Sequence, residues 1–233
     1  MRSNRTRARV ARFLVIFALA LAEASCAAQS KKTAPPPGPV ELPSVEVRNY
    51  KGENLSSVND FSENSIRGPQ KVDKESYRLE ITGLVSKPLS LTYEQVIDRA
   101  AFSKVVTLNC VEGWSAKIHW EGVKVRDLLA QAGYDAGAKV VIFTAYDGYT
   151  TSHPLSWLVD KDILLAFKMN DIPVPPERGF PFVLVAEDKW GYKWIKWVIK
   201  MEVSNDDSYR GYWEQRGYNQ KGDLKGPMYQ QGY

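Results

Sequence analysis

The amino-acid sequence predicts an α+β protein in which strands outnumber helices. Several short segments show either the two-residue alternation of a half-buried strand or the continuous apolar run of a buried one. Helical signals are confined to short segments with clear start or stop residues. The chain has 233 residues, of which 44% are hydrophobic, and this is enough to bury the core of one domain. We find no internal repeat and expect one globular α+β domain.

In the first half of the globular part, each expected element has a local signal. Residues 77–81 alternate apolar and charged side chains, which predicts a half-buried strand that a glycine ends. Thr92, with Gln95 three residues later, predicts a capping box and a short helix over 93–99. Residues 104–108 predict a strand that leads into a loop.

The second half is predicted to contain one amphipathic helix and several strands. The helix is expected over 125–132, where Gly133 ends it. Residues 140–144 are continuously apolar, so we expect a strand at the centre of a sheet, and further strands at 163–169 and 182–185. In 189–203 lysines and tryptophans recur at helical spacing, whereas the end alternates at period two. We favour a loop followed by a strand there.

The charge distribution argues against nucleic acid as a partner. The formal net charge is +4, but residues 1–25 hold five arginines and one glutamate. The rest of the chain carries 26 basic and 26 acidic residues. It has no basic arm that could neutralise a phosphate backbone, so we exclude nucleic-acid binding.

Residues 1–25 have the layout of a secretory signal peptide, with arginines, an apolar run and then small residues. The apolar run of about 10 residues is too short to span a hydrocarbon core of about 30 Å. Ser25 and Cys26 resemble a lipoprotein cleavage site, so membrane contact is expected only through a lipid anchor at Cys26. The twin-arginine signature, which directs export of folded proteins, is absent. We expect an exported bacterial protein that is periplasmic or attached to the envelope.

The remaining chain divides into three parts. Residues 26–59 are predicted to be a proline-rich linker, because five of the 13 prolines fall between residues 27 and 45. Residues 60–215 are assigned to the globular domain. Residues 216–233 are assigned to a polar aromatic tail. The stretch from Tyr209 to Tyr233 is rich in tyrosine, glycine and glutamine and either covers the domain or edges the opening of the active site. The alternative after about Asp223 is disorder.

Cysteine content singles out one side chain. The chain has only Cys26 and Cys110, so the mature domain has one unpaired thiol if Cys26 is removed or lipidated. Cys110 follows the strand predicted at 104–108, where a rigid element can present a reactive group. A thiolate there suits nucleophilic attack, redox chemistry or a soft metal, whereas the alternative is a buried small hydrophobic residue. A hydrolase would need His119 or His153 beside it, which the local sequence does not provide.

An ordered series of motifs resembles the catalytic domain of the sulfite oxidase family of molybdopterin-dependent oxidoreductases. The central motif around Cys110 is NCVEGWS at 109–115. The other motifs are FSENSIRGP at 61–69, WEGV at 120–123, DGY at 147–149, PPERGFP at 175–181 and KWGYKWIK at 189–196. The resemblance covers residues 60–215. It implies a mixed-sheet, sulfite oxidase-like molybdopterin-binding domain.

The resemblance also implies a set of site residues. The cofactor is molybdopterin carrying molybdenum, with Cys110 as a metal ligand and catalytic residue. Asn64 and Arg67 correspond to cofactor contacts on one side of the site. Contacts on the other side correspond to Arg178, Lys193, Trp194, Ile195 and Lys196. The phosphate and the polar pterin of the cofactor need such donors and positive charges.

Some positions are open or depart from the family pattern. Thr144 or Ala145 corresponds to a strand-end residue that approaches the pterin. Tyr149 either faces the substrate as a catalytic residue or packs within its turn. Val183 stands where several relatives have a cofactor-binding arginine, and Arg178 replaces a histidine or asparagine. The basic group gained at position 178 is a candidate to compensate for the one missing at position 183.

Without the haem and dimerisation domains of animal sulfite oxidases, the chain looks more like the compact bacterial branch of the family, which includes the catalytic subunit of a periplasmic protein-methionine-sulfoxide reductase. Members of that branch exchange electrons with a separate haem protein, which is therefore an expected partner. We predict an exported molybdopterin-dependent oxidoreductase that transfers an oxygen atom to or from a small substrate, such as sulfite or a sulfoxide. The alternative is a lipoprotein that keeps the fold as a binding module without cofactor, which the missing twin-arginine signature favours.

Overall fold

The computed structural model describes residues 45–230. The predicted signal peptide at 1–25, Cys26 and the beginning of the predicted linker lie outside the described residues. Within the described range, no helix is both long enough and apolar enough to cross a lipid bilayer.

Between residues 45 and 230 the chain forms twelve strands, three α-helices and three short 3₁₀ turns. The strands are β1 (Asn49–Tyr50), β2 (Glu53–Asn54), β3 (Leu79–Gly83), β4 (Leu89–Leu91), β5 (Phe102–Asn109), β6 (Ser115–Lys124), β7 (Val140–Ala145), β8 (Thr150–Pro154), β9 (Leu164–Met169), β10 (Ile172–Pro173), β11 (Val183–Leu184) and β12 (Val198–Ser204). The helices are α1 (Tyr93–Ile97), α2 (Val125–Ala132) and α3 (Leu155–Asp160). The 3₁₀ turns are Pro176–Arg178, Gly191–Lys193 and Glu214–Arg216.

Two five-stranded sheets form the framework. The first has the order β10-β9-β6-β5, with β11 also paired to β9, and all of its pairs are antiparallel. The second has the order β4-β3-β12-β7-β8, in which β12 runs parallel to β3 and the other neighbours are antiparallel. This combination of sheets with three short helices confirms the predicted α+β class.

Local signals locate most elements correctly. The predicted capping box is present, because Gln95 N donates to Thr92 Oγ1 at 3.1 Å and Thr92 N donates to Gln95 Oε1 at 2.9 Å. Helix α1 ends at Ile97, two residues earlier than predicted. Helix α2 ends at Gly133, whose φ of 66° is left-handed. In 189–203 a loop precedes β12, as predicted.

The centre of the second sheet is β12, whereas we expected the strand at 140–144 to lie there. That strand, β7, lies between β12 and the edge strand β8. Val198, Met201 and Val203 of β12 are buried, and the residues between them are half-exposed. A sheet that buries only one face tolerates such alternation in its central strand, so apolar continuity alone could not identify the centre.

The folded domain begins before the predicted end of the linker at 26–59. Strands β1 and β2 form a hairpin around Lys51 and Gly52, whose φ values are 49° and 86°, as a two-residue type I′ turn requires. Leu55 and Val58 are buried. This hairpin has almost no sequence signal, because its strands have two residues each and are largely polar.

Two hydrophobic clusters fill the interior. The larger joins the second sheet and all three helices, with Leu79, Leu128 and Phe143 among its fully buried members. The smaller is built on the first sheet and contains Trp120 and Cys110. Cys110 therefore follows β5 at the margin of the smaller cluster, and this position determines where the site lies.

Candidate functional site

A cavity of about 410 Å³ adjoins Cys110. Its volume lies within the range of about 300–1,000 Å³ that is typical of small-molecule sites. The wall comes mainly from five separate parts of the chain: the loop at 61–66, the turn after β5, the turn at 147–149, the stretch between 177 and 197, and the segment at 212–218. Long-range folding, rather than one local motif, therefore creates the site.

Cys110 is presented by the turn between β5 and β6. Its N–H donates to Trp114 O at 2.9 Å, and Gly113 N–H donates to Cys110 O at 3.1 Å. Gly113 has a φ of 90°, which a residue with a side chain rarely adopts. The Cys110 side chain is only 4% exposed but lines the cavity, and Asn64 Nδ2 donates to its Sγ at 3.4 Å. The thiol is thus fixed at a cavity wall.

The surroundings of Cys110 favour the protonated thiol. Burial raises the pKa of Cys110, and hydrogen bonds from the Glu112 backbone and the Asn64 side chain offset this only in part. A thiolate at this position needs further stabilisation by positive charge, as a bound metal ion supplies.

Two cationic side chains, Lys196 and Arg178, line the cavity. Lys196 Nζ pairs with Glu63 Oε1 at 2.9 Å, and burial lowers the pKa of Lys196 although Glu63 opposes this shift. Arg178 Nε donates to Val58 O at 2.8 Å, and its guanidinium carbon lies 5.4 Å from the centre of the Phe61 ring. These two side chains could hold an anionic group such as a phosphate.

Aromatic rings form most of the remaining wall. Trp120 and Trp194 pack with their ring centres 5.6 Å apart, and Trp194 Nε1 donates to Lys189 O at 3.1 Å. Phe61 and Trp114 meet edge to face at 5.6 Å. Six further aromatic residues belong to the lining, namely Tyr149, Tyr192, Trp197, Tyr212, Trp213 and Tyr218.

Six of the ten site residues predicted from the sequence line this cavity. They are Asn64, Cys110, Tyr149, Arg178, Trp194 and Lys196. The structure does not bring Arg67, Thr144, Lys193 or Ile195 into the lining. Arg67 is exposed to solvent, Thr144 is a half-buried residue of β7, and Ile195 is fully buried in the larger core cluster.

Lys193 has a structural role that the motif did not indicate. It is fully buried and pairs with Glu214, which is also fully buried. Lys193 Nζ also donates to Ser152 O at 2.8 Å, and Glu214 Oε1 accepts from Thr151 Oγ1 at 2.7 Å. The ammonium group therefore joins the chain around 193 to the chain around 214, and it does not point into the cavity as a free donor.

Tyr149 combines features of the two roles left open for it. Its ring lines the cavity and lies 5.9 Å from the centre of the Tyr212 ring. Its hydroxyl donates to Tyr192 O, and burial raises its pKa well above the ordinary value. The hydroxyl is therefore engaged with the backbone and stays protonated.

Neither histidine lies at Cys110. The His119 ring stacks on Tyr50 at 3.7 Å, and its Nδ1 lies 3.0 Å from Asp171 Oδ1. His153 is fully buried, its Nε2 lies 3.0 Å from Lys193 O, and burial lowers its pKa well below the ordinary value. Neither residue is part of the cavity lining, so the structure offers no cysteine–histidine pair there.

Sequence reasoning assigned no role to several residues of this site. Glu63 and Glu112 lie inside the quoted motifs, yet nothing in their spacing shows that Glu63 pairs with Lys196, 133 positions away. Trp213 and Tyr218 line the cavity. They belong to the tail for which an edge of the active-site opening was one of the alternatives, but neither was given a role of its own.

Comparison with known proteins gives a consistent picture. Residues 66–213 match the family model described as oxidoreductase molybdopterin binding domain. YuiH of Bacillus subtilis, an uncharacterized oxidoreductase, is 33% identical over 156 residues, which cover 66% of this chain and 78% of YuiH. Human mitochondrial sulfite oxidase is 28% identical over 188 residues, covering 68% of this chain and 34% of that enzyme.

Two further similarities concern proteins named for sulfur substrates. MsrP of Campylobacter jejuni, a protein-methionine-sulfoxide reductase catalytic subunit, is 25% identical over 162 residues, covering 62% of this chain and 54% of MsrP. The crystal structure of the sulfane dehydrogenase SoxCD from Paracoccus pantotrophus aligns with a TM-score of 0.57 and 26% identity, covering 60% of this chain and 41% of that one. The chain thus spans about half of MsrP and about a third of sulfite oxidase.

Proposed function

Since the chain belongs to the sulfite oxidase family of molybdopterin-binding oxidoreductases, we propose that it is an exported enzyme that transfers an oxygen atom to or from a small substrate. The proposed substrate is sulfite, a sulfoxide or a similar small molecule. A separate haem protein is the proposed electron partner. Export rests on the signal-like sequence at 1–25.

One observation carries this proposal: a single thiol, Cys110, is fixed at the wall of a cavity that is large enough for a cofactor and has cations elsewhere in its lining. Sulfur ligands suit soft transition metals. Arg178 and Lys196 supply positive charge for a phosphate, and Asn64 supplies an amide. The residues present therefore fit a phosphorylated, metal-carrying pterin.

In this proposal Cys110 binds the metal through its sulfur, and Asn64 keeps the sulfur oriented by its hydrogen bond. Arg178 and Lys196 hold the phosphate, and Trp194 supplies an apolar wall that excludes water. When bound, the molybdenum cofactor supplies two-electron oxygen-atom transfer chemistry. The protein's own contribution is to release the Cys110 proton on metal binding and to fix the position of the site.

The first test is the metal content of the protein. We expect the full-length chain, purified from the envelope of a bacterium that makes the cofactor, to contain about one molybdenum per chain by elemental mass spectrometry. Protein made in a strain that cannot make molybdopterin serves as the control. A folded native protein without molybdenum would contradict the proposal and support the cofactor-free binding module.

The second prediction concerns the cation at Lys196. We expect Lys196→Met to weaken cofactor retention about 10- to 100-fold, because a hydrogen bond to a charged group contributes about 1.5–3 kcal/mol. Retention is measured as molybdenum per chain after exhaustive dialysis. The matched control is Lys74→Met, since Lys74 also pairs with a glutamate, Glu94, but is about half exposed and lies outside the cavity lining.

A third variant separates the charge of Lys196 from its ion pair. Glu63→Gln removes the carboxylate that Lys196 contacts and leaves the ammonium free to bind an anion, so cofactor retention is expected to stay the same or rise. Equal retention in Lys196→Met and Lys74→Met would show that Lys196 does not hold the cofactor.

A further inference from the structure

The C-terminal segment at 209–230, here called the strap, completes one side of the cavity. The matched family region ends at residue 213, so most of the strap lies beyond it. Tyr212 N donates to Thr150 O at 2.9 Å, and Gly222 O accepts from Trp190 N at 2.8 Å. The strap is therefore hydrogen-bonded to β8 and to the loop before residue 191.

Three buried or half-buried interactions fasten the strap to the domain. Glu214 pairs with Lys193 in the interior. Asp223 pairs with Lys189 at 2.5 Å, and Asn219 O accepts from Tyr192 Oη at 2.8 Å. These attachments lie on both sides of residue 218, so they fix the part of the strap that faces the cavity.

The strap presents a row of aromatic rings to the cavity. The ring centres of Tyr212 and Trp213 are 5.2 Å apart, and those of Trp213 and Tyr218 are 5.3 Å apart. Tyr218 also packs against Tyr192 at 4.8 Å. All four rings belong to the cavity lining, so the strap side of the wall is aromatic.

The cavity lining also carries charged side chains. Among the described residues, the basic side chains of the lining are Arg178 and Lys196. Burial raises the pKa of Tyr218, the hydrogen bond with Tyr229 raises it further, and the nearby Cys110 and Glu112 add to this shift. Tyr218 therefore lies near the Cys110 thiol and the Glu112 carboxylate.

We propose that Trp213 and Tyr218 of the strap bind the apolar substituent of a neutral sulfur-containing substrate beside Cys110. This inference rests on the proposed function and names the substrate class of the same site. Sulfur and apolar groups pack favourably against aromatic rings. A small dianion such as sulfite gains nothing from these rings.

The test uses the full-length, molybdenum-containing protein and methyl phenyl sulfone, a neutral ligand with one apolar ring. Its dissociation constant is measured by titration calorimetry. Trp213→Ala and Tyr218→Ala are each expected to weaken sulfone binding about 10-fold, whereas Tyr218→Phe keeps the ring and stays within about twofold of the wild type. Phe102→Ala, which removes an aromatic ring at the far end of β5 outside the cavity lining, is the control.

A kinetic comparison with artificial electron donors completes the test. In both alanine variants KM for methyl phenyl sulfoxide is expected to rise about 10-fold with kcat nearly unchanged, while KM for dimethyl sulfoxide changes less. If Trp213→Ala does not fold, Trp213→Leu, which also removes the aromatic ring, replaces it. Sulfate, titrated in the same way, is the anionic comparison ligand. In protein that contains molybdenum, unchanged sulfone binding, or an equal loss of sulfate and sulfone binding, overturns the inference. Protein without molybdenum instead refutes the proposed function, so the two failures are distinguishable.

Discussion

Replacing Cys110 with serine is expected to reduce turnover more than about 100-fold, since even the groups that only orient a metal ligand contribute about 10- to 100-fold. Serine has nearly the same size but offers a hard oxygen in place of a soft sulfur. The turn that carries position 110 depends on backbone hydrogen bonds and on Gly113, so the fold should persist.

The measurement is kcat per molybdenum atom, with folding followed by circular dichroism. The control is Cys26→Ser, because Cys26 is the other cysteine of the chain and its predicted role is anchoring. Purified Cys26→Ser should turn over as the wild type does. A Cys110→Ser variant that contains molybdenum and keeps wild-type turnover would exclude Cys110 as the metal ligand.

Local signals were sufficient for most elements of the fold. The capping box at Thr92 and the glycine stop at Gly133 depend on residues within a few positions of each other, and both are present as predicted. The order of strands in a sheet depends on pairing between distant segments. Lys200 of β12 pairs with Glu80 on one side and with Thr144 on the other, and no local pattern contains that information.

The candidate site divides in the same way. Cys110 was identifiable as the unpaired thiol after a strand, and the family motifs added Asn64, Arg178 and Lys196, all of which line the cavity. The motif position of Lys193 suggested a cofactor contact, yet its side chain points to Glu214. A lysine in a motif can face either the site or the interior. For Lys193 the direction depends on the packing of the strap, which brings Glu214 to it.

The second large effect is expected at the buried pair of Lys193 and Glu214. Removing one partner leaves the other as an unpaired charge in the interior, which costs about 3–5 kcal/mol of unfolding free energy. For a domain of this size this corresponds to roughly 10 °C in Tm. The double variant Lys193→Met/Glu214→Leu removes both charges, so it is expected to recover most of the loss. The exposed pair of Lys139 and Asp207 is the control, where Lys139→Met should cost less than about 1 kcal/mol.

The pH dependence of Glu214→Leu distinguishes an unpaired charge from a simple packing defect. Burial lowers the pKa of Lys193 even beside Glu214, and loss of the carboxylate lowers it further. Below the folded-state pKa the buried ammonium stays charged, and the full penalty applies. As pH rises through that pKa towards the ordinary lysine value, the folded protein releases the proton before the unfolded chain does, so the penalty shrinks.

Thermal unfolding between pH 7 and pH 10 therefore tests the charge directly. The Tm difference between Glu214→Leu and the double variant is expected to narrow as pH rises, because the double variant has no ammonium at position 193 to titrate. Molybdenum-free preparations of both variants keep cofactor loss from contributing to the difference. A gap that stays constant over this range would mean that the defect is one of packing, and that Lys193 does not hold the strap through its charge.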